Sequence, residues 1–207
     1  MTSTPAGLPR AGSAAADRRE PRAVRTRTLI LQAVRDALAE ASIDDLNVSE
    51  LSRRAGVHRV TFYGHWPDVR SAAADAFADV IDRILTIGEA DLAAAVTADD
   101  LAPLYERALI AQLVEIRDHR ATYRSLFSWS DFSQRLFDSL AERAELAVSA
   151  LVRLGVAVPG AGSGIAAAHI AGGLVAASAR WASSDDADAD VTAQEIVGQM
   201  PYWWPRG

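Results

Sequence analysis

Residues 47–66 read NVSELSRRAGVHRVTFYGHW. A capping pair at Asn47 and Glu50 predicts the start of a short helix, which Gly56 ends. A second short helix is expected from about His58 to Trp66. Two short helices joined by a three-residue turn that contains glycine are typical of a helix-turn-helix.

The apolar residues of this stretch are expected to pack together and onto Leu38 of the preceding helix: Leu51, Ala55, Val57, Phe62 and Trp66. That packing leaves the N-terminal half of the second helix exposed, which is the part of a helix-turn-helix that enters the major groove of DNA. Arg59 can bond a guanine edge bidentately, and the methyl groups of Val60 or Thr61 can contact a thymine methyl.

Phosphate contacts are expected around this reading helix. Tyr63 and His65 are placed for them, and so is the helix N-terminus at Asn47 and Val48. A compact helical hairpin with no nucleic-acid partner would show the same length and spacing.

The local residues favour DNA binding, because residues 25–75 resemble the DNA-binding domain of TetR-family transcriptional regulators. An amphipathic helix, an Ala-Gly-Val turn, a Thr-Phe-Tyr-x-His-aromatic stretch and a following proline occur in the family's order. The sequence departs from the pattern at His58, where Ser or Thr usually caps the recognition helix, and at Gly64 and Val69. His58 is counted with the expected DNA contacts. Arg25, Thr26 and Arg27 join them, because they begin the first helix beside the motif.

The charge of the chain is divided unevenly. The net charge is −6, yet residues 1–70 carry 11 Arg and 8 acidic residues, whereas residues 71–207 carry 10 Arg and 19 acidic residues. A polyanionic partner is therefore expected to meet the first third of the chain. Residues 1–24, rich in Arg, Ala, Pro and Gly, are predicted to be a disordered basic arm.

Apolar residues at helical spacing predict an all-α fold. Further helices are expected at about residues 68–87, 99–119, 121–128, 131–154, 163–183 and 191–200. With the first helix, this divides the chain into a three-helix DNA-binding domain at 25–70 and a larger helical domain at 71–207. An acidic loop is expected at 185–190.

The resemblance implies that the second domain binds a small ligand and dimerises through its last two long helices. An aromatic cavity for an amphipathic or aromatic ligand is expected from these residues: Tyr105, His119, Tyr123, Phe127, Trp129, Phe132, His169 and Trp181. The dimer interface is expected at two helix stripes: Leu140, Ala147 and Leu151, and then Gly172, Gly173, Ala176 and Arg180. Ordinary intramolecular packing is the alternative explanation for each of these residues.

Other chemistry finds no support in the sequence. The chain has no Cys, which excludes thiol nucleophiles and cysteine-ligated metals and fits a reducing cytoplasm. Residues 160–165 and 186–197 only superficially resemble a phosphate loop and a calcium loop, because the glycines and the acidic ligand that those motifs need are missing. No catalytic residue, metal site, cofactor or membrane span is therefore expected.

These observations together predict a ligand-responsive regulator, a repressor that binds a palindromic DNA operator as a homodimer in the cytoplasm. The alternative is a helical protein-interaction module with a vestigial helix-turn-helix. Strong salt dependence of duplex binding would separate the two, because phosphate contacts release counterions.

Overall fold

The computed structural model describes residues 12–185 and 188–206. Every regular element of this part of the chain is helical, which confirms the predicted all-α class. The α-helices are α1 (Gly12–Glu40), α2 (Val48–Arg54), α3 (Arg59–Tyr63), α4 (Val69–Leu85), α5 (Glu89–Ala94), α6 (Ala102–Asp118), α7 (Arg120–Phe127), α8 (Ser130–Arg153), α9 (Ile165–Ser183) and α10 (Ala189–Gln199).

The first helix is longer than the sequence predicted. It begins at Gly12, so residues 12–24 are helical and the prediction of a disordered arm is wrong for them. Their Ala and Arg content explains the helix, since these residues have high helix propensity. Residues 1–11 of the predicted arm lie outside the described residues.

Three smaller differences concern two helix ends and one additional short helix. Helix α3 stops at Tyr63 rather than near Trp66, with Gly64 as its C-cap. Helix α5 was not predicted. In the predicted acidic loop, Ala189 already begins α10, because the Asp188 side chain accepts a hydrogen bond from the backbone N–H of Val191; residues 186 and 187 lie outside the described part.

Helix α4 lies at the centre of the packing. It contacts α1 on one side and α6 and α8 on the other. Five of its buried residues are alanines, and such small side chains let neighbouring helices approach closely. One continuous apolar core consequently runs from Leu51 and Phe62 of the helix-turn-helix, through α4, to Trp181 on α9.

A second apolar cluster fills the opposite end of the body. It joins Leu101, the C-terminal half of α8 and the N-terminal half of α9 to Trp204, which follows α10. The segment after α10 therefore folds back onto the body and covers this end. Among the described residues, no helix is long and apolar enough to cross a membrane.

Candidate nucleic-acid interface and ligand cavity

The turn between α2 and α3 has the geometry of a helix-turn-helix. The Asn47 side chain accepts a hydrogen bond from the Glu50 backbone N–H at 3.0 Å, as the predicted cap requires. Gly56 has φ +67°, a left-handed conformation in which glycine is favoured. The Val57 N–H then bonds the Ser52 carbonyl at 2.9 Å, which closes the first helix and fixes the direction of the second.

Helix α3 buries one side chain and exposes the predicted reading residues. Phe62 is fully buried, whereas Val60 is 82% exposed and Tyr63 is 50% exposed. Arg59 is exposed as well, and Thr61 is half-buried. The helix therefore presents to solvent the side chains that were predicted to reach base edges.

Arg59 differs from several neighbouring arginines in being available. Arg53 and Arg54 both donate to the Glu50 carboxylate, which lowers the pKa of Glu50 to about 2. Arg59 has no ion-pair partner among the described residues. Part of the positive charge of the N-terminal third is thus neutralised internally, while the charge on the reading helix is not.

The residues predicted to contact phosphates occupy different environments. Asn47, His58 and Arg25 are exposed, and His58 makes no side-chain cap. His65 is half-buried with its ring centroid 5.4 Å from that of Trp66. Val48 and Thr26 are half-buried as well.

Arg27, one of the predicted phosphate contacts, also has partners within the chain. Its guanidinium lies 3.2 Å from Asp75 and 3.6 Å from Asp79, and stacks 5.7 Å from the ring centroid of Trp66. These contacts join α1 to α4 and leave the side chain 41% exposed. The sequence motif placed Arg27 near the site but could not show that α4 brings acidic residues against it.

One carboxylate joins the helix-turn-helix to the rest of the molecule. Asp75 on α4 accepts a hydrogen bond from Trp66 Nε1 at 2.7 Å and is paired with Arg27 and with Arg135 of α8. Its side chain is only 15% exposed. Sequence reasoning missed Asp75, because its partners lie 9, 48 and 60 residues away.

An apolar cavity of about 90 Å³ opens between the helices of the body, and the exposed side chain of Leu146 forms part of its wall. Residues of α4, α5, α6, α8, α9 and α10 line it, together with Ile87 between α4 and α5 and the segment that follows α10. The lining comprises Leu85, Ile87, Leu92, Tyr105, Ala108, Leu109, Gln112, Leu140, Arg143, Ala144, Leu146, Ala147, Ile170, Leu174, Val197, Met200 and Trp204.

Of the eight predicted ligand residues, Tyr105 is the one that lines this cavity. Tyr123, Phe127 and Phe132 instead pack against one another, and Tyr123 lies edge-on to Phe77 of α4 with ring centroids 5.2 Å apart. Tyr123 is fully buried, and burial raises its pKa. These aromatic residues form core packing next to α4.

The remaining four predicted ligand residues are also elsewhere. Trp181 is buried and donates its indole N–H to the Leu113 carbonyl at 2.8 Å. Trp129 stacks with Arg70 at 5.0 Å, and His119 is exposed beside Glu115. His169 is exposed and lines a neighbouring cleft rather than the cavity. Helical spacing showed that these side chains lie together on helix faces, but not which helix would cover them.

The cavity has polar residues that sequence reasoning missed. Gln112 is fully buried and donates from Nε2 to Ser178 Oγ at 2.8 Å. Arg143 is held bidentately by Asp82 of α4, at 2.9 and 2.8 Å, which lowers the pKa of Asp82. A signal for Gln112 existed in the sequence, since it is a polar residue on the apolar face formed by Leu109, Leu113 and Ile116.

The predicted dimer residues fall into two groups. Leu140, Ala147 and Leu151 are buried within the chain, two of them at the cavity wall, so their assignment to an intermolecular interface is wrong. Gly173, Ala176 and Arg180 of α9 are exposed, and Gly172 is half-buried. A Cβ on Gly172 would lie 3.9 Å from Phe137, whereas one on Gly173 would meet nothing within 4 Å. This outer face of α9 is therefore lined by small residues.

Comparisons with known proteins agree on the fold. No family model matches the chain. Over 89 residues it is 33% identical to an uncharacterized HTH-type transcriptional regulator from Mycobacterium bovis and 34% identical to one from Mycobacterium tuberculosis. Each match covers 43% of this chain but only 41% of the relative's length.

Solved structures match over most of the chain. RolR without ligand has a TM-score of 0.61 at 18% identity, covering 84% of this chain and 89% of that one. RolR in complex with resorcinol has a TM-score of 0.61 at 19% identity, and the match covers 87% of this chain and 90% of that one. AlkX, a TetR family repressor from Dietzia, has a TM-score of 0.51 at 13% identity, and the match covers 86% of this chain and 94% of that one. A helix-turn-helix followed by a helical body is the fold of a class of DNA-binding regulators. Within that class, the fold of this chain is that of the TetR-family transcriptional regulators, as the sequence motif indicated.

Proposed function

We propose that this chain is a DNA-binding transcriptional regulator, a repressor that binds a palindromic operator as a homodimer and releases it on binding a small ligand. The observation that carries this proposal is the exposed face of α3, where Arg59 is unpaired among the described residues and Val60 is 82% exposed. An unpaired guanidinium beside an exposed apolar side chain, on the second helix of a helix-turn-helix, matches the surface that enters a major groove.

The proposed base contacts come from Arg59, Val60 and Thr61. The guanidinium of Arg59 bonds the O6 and N7 atoms of a guanine, and the methyl groups of the other two contact thymine. Tyr63 and Arg25 bond phosphates. His58, His65, Thr26 and the α2 N-terminus at Asn47 and Val48 support the same backbone contacts.

The proposed dimer forms through the outer faces of α8 and α9. Gly173 and Ala176 allow the α9 helices of two subunits to approach closely, and Arg180 flanks them. A two-fold dimer places its two α3 helices about one turn of DNA apart, so the operator is palindromic.

The proposed ligand site is the cavity of about 90 Å³. RolR, which shares this fold, has been crystallised with resorcinol. Helix α4 links the cavity to the DNA-binding residues, because it holds Arg143 through Asp82 at one end and Trp66 through Asp75 at the other.

The test captures genomic DNA fragments on the full chain and compares Arg59→Ala with Arg107→Ala, an exposed arginine on α6. Arg59→Ala should weaken operator binding by about 1–3 kcal/mol and relax base preference at one position, and Arg107→Ala should change neither. Binding of the parent chain should weaken steeply with salt. No selective duplex binding, or equal affinity of the two variants, would overturn the proposal and favour a protein-interaction module.

A further inference from the structure

Two polar atoms at the cavity lack a partner. The Oε1 atom of Gln112 and the hydroxyl of Tyr105 are buried, and neither makes a hydrogen bond within the described part of the chain. Both residues line the cavity. They are seven residues apart on α6, about 10 Å along one side of the helix. A polar group in this position is normally satisfied, because burying it unpaired is unfavourable.

Gln112 is the better defined of the two groups. Its side chain is fully buried, and its Nε2 atom is fixed by the bond to Ser178, itself 1% exposed. Gln112 therefore presents one carbonyl oxygen, which accepts hydrogen bonds and cannot donate them.

The charge around the cavity favours a neutral ligand. Arg143 is the charged residue in the lining, and the bidentate contact with Asp82 compensates its charge. Ser139 also donates to Asp82, which fixes the carboxylate in that position. An anionic ligand would therefore meet a guanidinium whose charge is already balanced by Asp82. The other wall residues are apolar apart from Tyr105 and Gln112.

The size of the cavity limits the ligand to a small molecule. An engineered apolar cavity of about 150 Å³ accommodates benzene, and this one has about 90 Å³. A single ring therefore fits once the lining moves slightly. Ile87, Met200 and Trp204 are the wall residues that lie outside the helices.

We propose that the cavity binds a small, neutral, hydrophobic molecule with a hydroxyl group, of the phenol or alcohol class, whose O–H donates to Gln112 Oε1. The inference rests on the proposed function and specifies the ligand class of its regulatory site. Tyr105 stays protonated at neutral pH, since burial raises its pKa to about 12. Its hydroxyl provides a second hydrogen-bonding group for a ligand with two hydroxyls.

The test is a calorimetric titration of the full chain with four single-ring probes: phenol, anisole, toluene and benzoate. Anisole only accepts hydrogen bonds, toluene makes none, and benzoate is anionic. Phenol should bind about tenfold more tightly than each of the others, because it alone satisfies the buried acceptor. Absence of phenol binding, or anisole, toluene or benzoate binding as tightly as phenol, would overturn the inference.

A variant pair then locates the preference. Gln112→Leu should lose the advantage of phenol over toluene while keeping its affinity for toluene, and Gln194→Leu, an exposed glutamine on α10, should behave as the parent chain. Retention of the phenol preference in Gln112→Leu would refute the role of Gln112. The parent-chain series decides the ligand class even if Gln112→Leu does not fold.

Parallel capture of genomic DNA separates the two hypotheses. A chain that binds an operator but not phenol retains the proposed regulator and refutes the ligand class. A chain that binds phenol but no DNA supports the ligand class and refutes the regulator.

Discussion

Asp75 gives the sharpest prediction about how the DNA-binding helices are held. Replacing it with Ala removes the acceptor for Trp66 Nε1 and the partner of two arginines. Trp66 is 3% exposed, so its N–H would remain buried without a partner. An unsatisfied buried donor costs about 1–3 kcal/mol.

The ion pairs add less to this cost. Arg27 and Arg135 have side chains 41% and 42% exposed, and both can return to water when Asp75 is removed. Ion pairs at such positions contribute up to about 1 kcal/mol each. We therefore expect Asp75→Ala to lower the free energy of unfolding by about 2–4 kcal/mol.

The matched control is Asp79→Ala. Asp79 lies one turn further along α4, is 40% exposed and makes a longer ion-pair contact of 3.6 Å to Arg27. Both changes raise the helix propensity of α4 by the same amount, so the difference between the variants isolates the contacts of Asp75. Asp79→Ala should cost no more than about 0.5 kcal/mol.

The assay is urea unfolding followed by circular dichroism, with the two variants repeated in a Trp66→Phe background. Phe keeps the aromatic packing but has no N–H to leave unpaired. The cost of Asp75→Ala should then fall by about 1 kcal/mol or more. Equal costs for Asp75→Ala and Asp79→Ala, or no coupling to Trp66, would refute the reasoning.

Two further predictions concern the body. Gly173→Glu should dissociate the proposed dimer in sedimentation experiments while keeping the helical circular-dichroism spectrum of the parent, because a side chain there meets nothing within 4 Å in its own subunit; Gly198→Glu, equally open on α10, should leave the proposed dimer intact. The pair of Asp82 and Arg143 should make stability depend on pH. The guanidinium holds the pKa of Asp82 below its ordinary value of 3.8, so this contribution is present above that pH and is lost as the pH falls through the lowered pKa. In unfolding measurements from neutral to acidic pH, Asp82→Asn should be less stable than the parent at pH 7, and the difference should shrink in acid; a constant difference would contradict the assignment.

The sequence predicted the local structure well because its signals are local. The Asn47 cap, the Gly56 turn and the apolar spacing of the long helices each involve residues within one or two turns of one another. Helix propensity in residues 12–24 was outweighed in the prediction by their Pro, Gly and Ser content, and the structure shows that the helix extends through them.

The cavity could not be predicted from the sequence because its walls come from six helices and the segment that follows α10. Spacing shows that Phe132 and Leu140 lie on the buried face of α8, but the face meets α4 and α7 at one end and the cavity at the other. The large aromatic residues were predicted to be ligand contacts, and they fill the core instead. Gln112 stands on an apolar helix face in the sequence, but neither its partner Ser178 nor the contact of Arg143 with Asp82 can be read from local spacing.

Helix α4 explains how a ligand in this cavity can affect DNA binding in the proposed regulator. Asp75 and Asp82 are seven residues apart on one continuous helix, so they lie on the same side of it, about 10 Å apart. One holds Trp66 and the other holds Arg143. A ligand that favours a different position of Arg143 must therefore displace α4 or break its contact with Asp82. In the first case the displacement reaches Trp66, and the linkage is reciprocal, so DNA must change the ligand affinity by the same factor. In the second case the two sites are uncoupled. The strength of regulation accordingly depends on the two carboxylates keeping their partners while the helix between them moves.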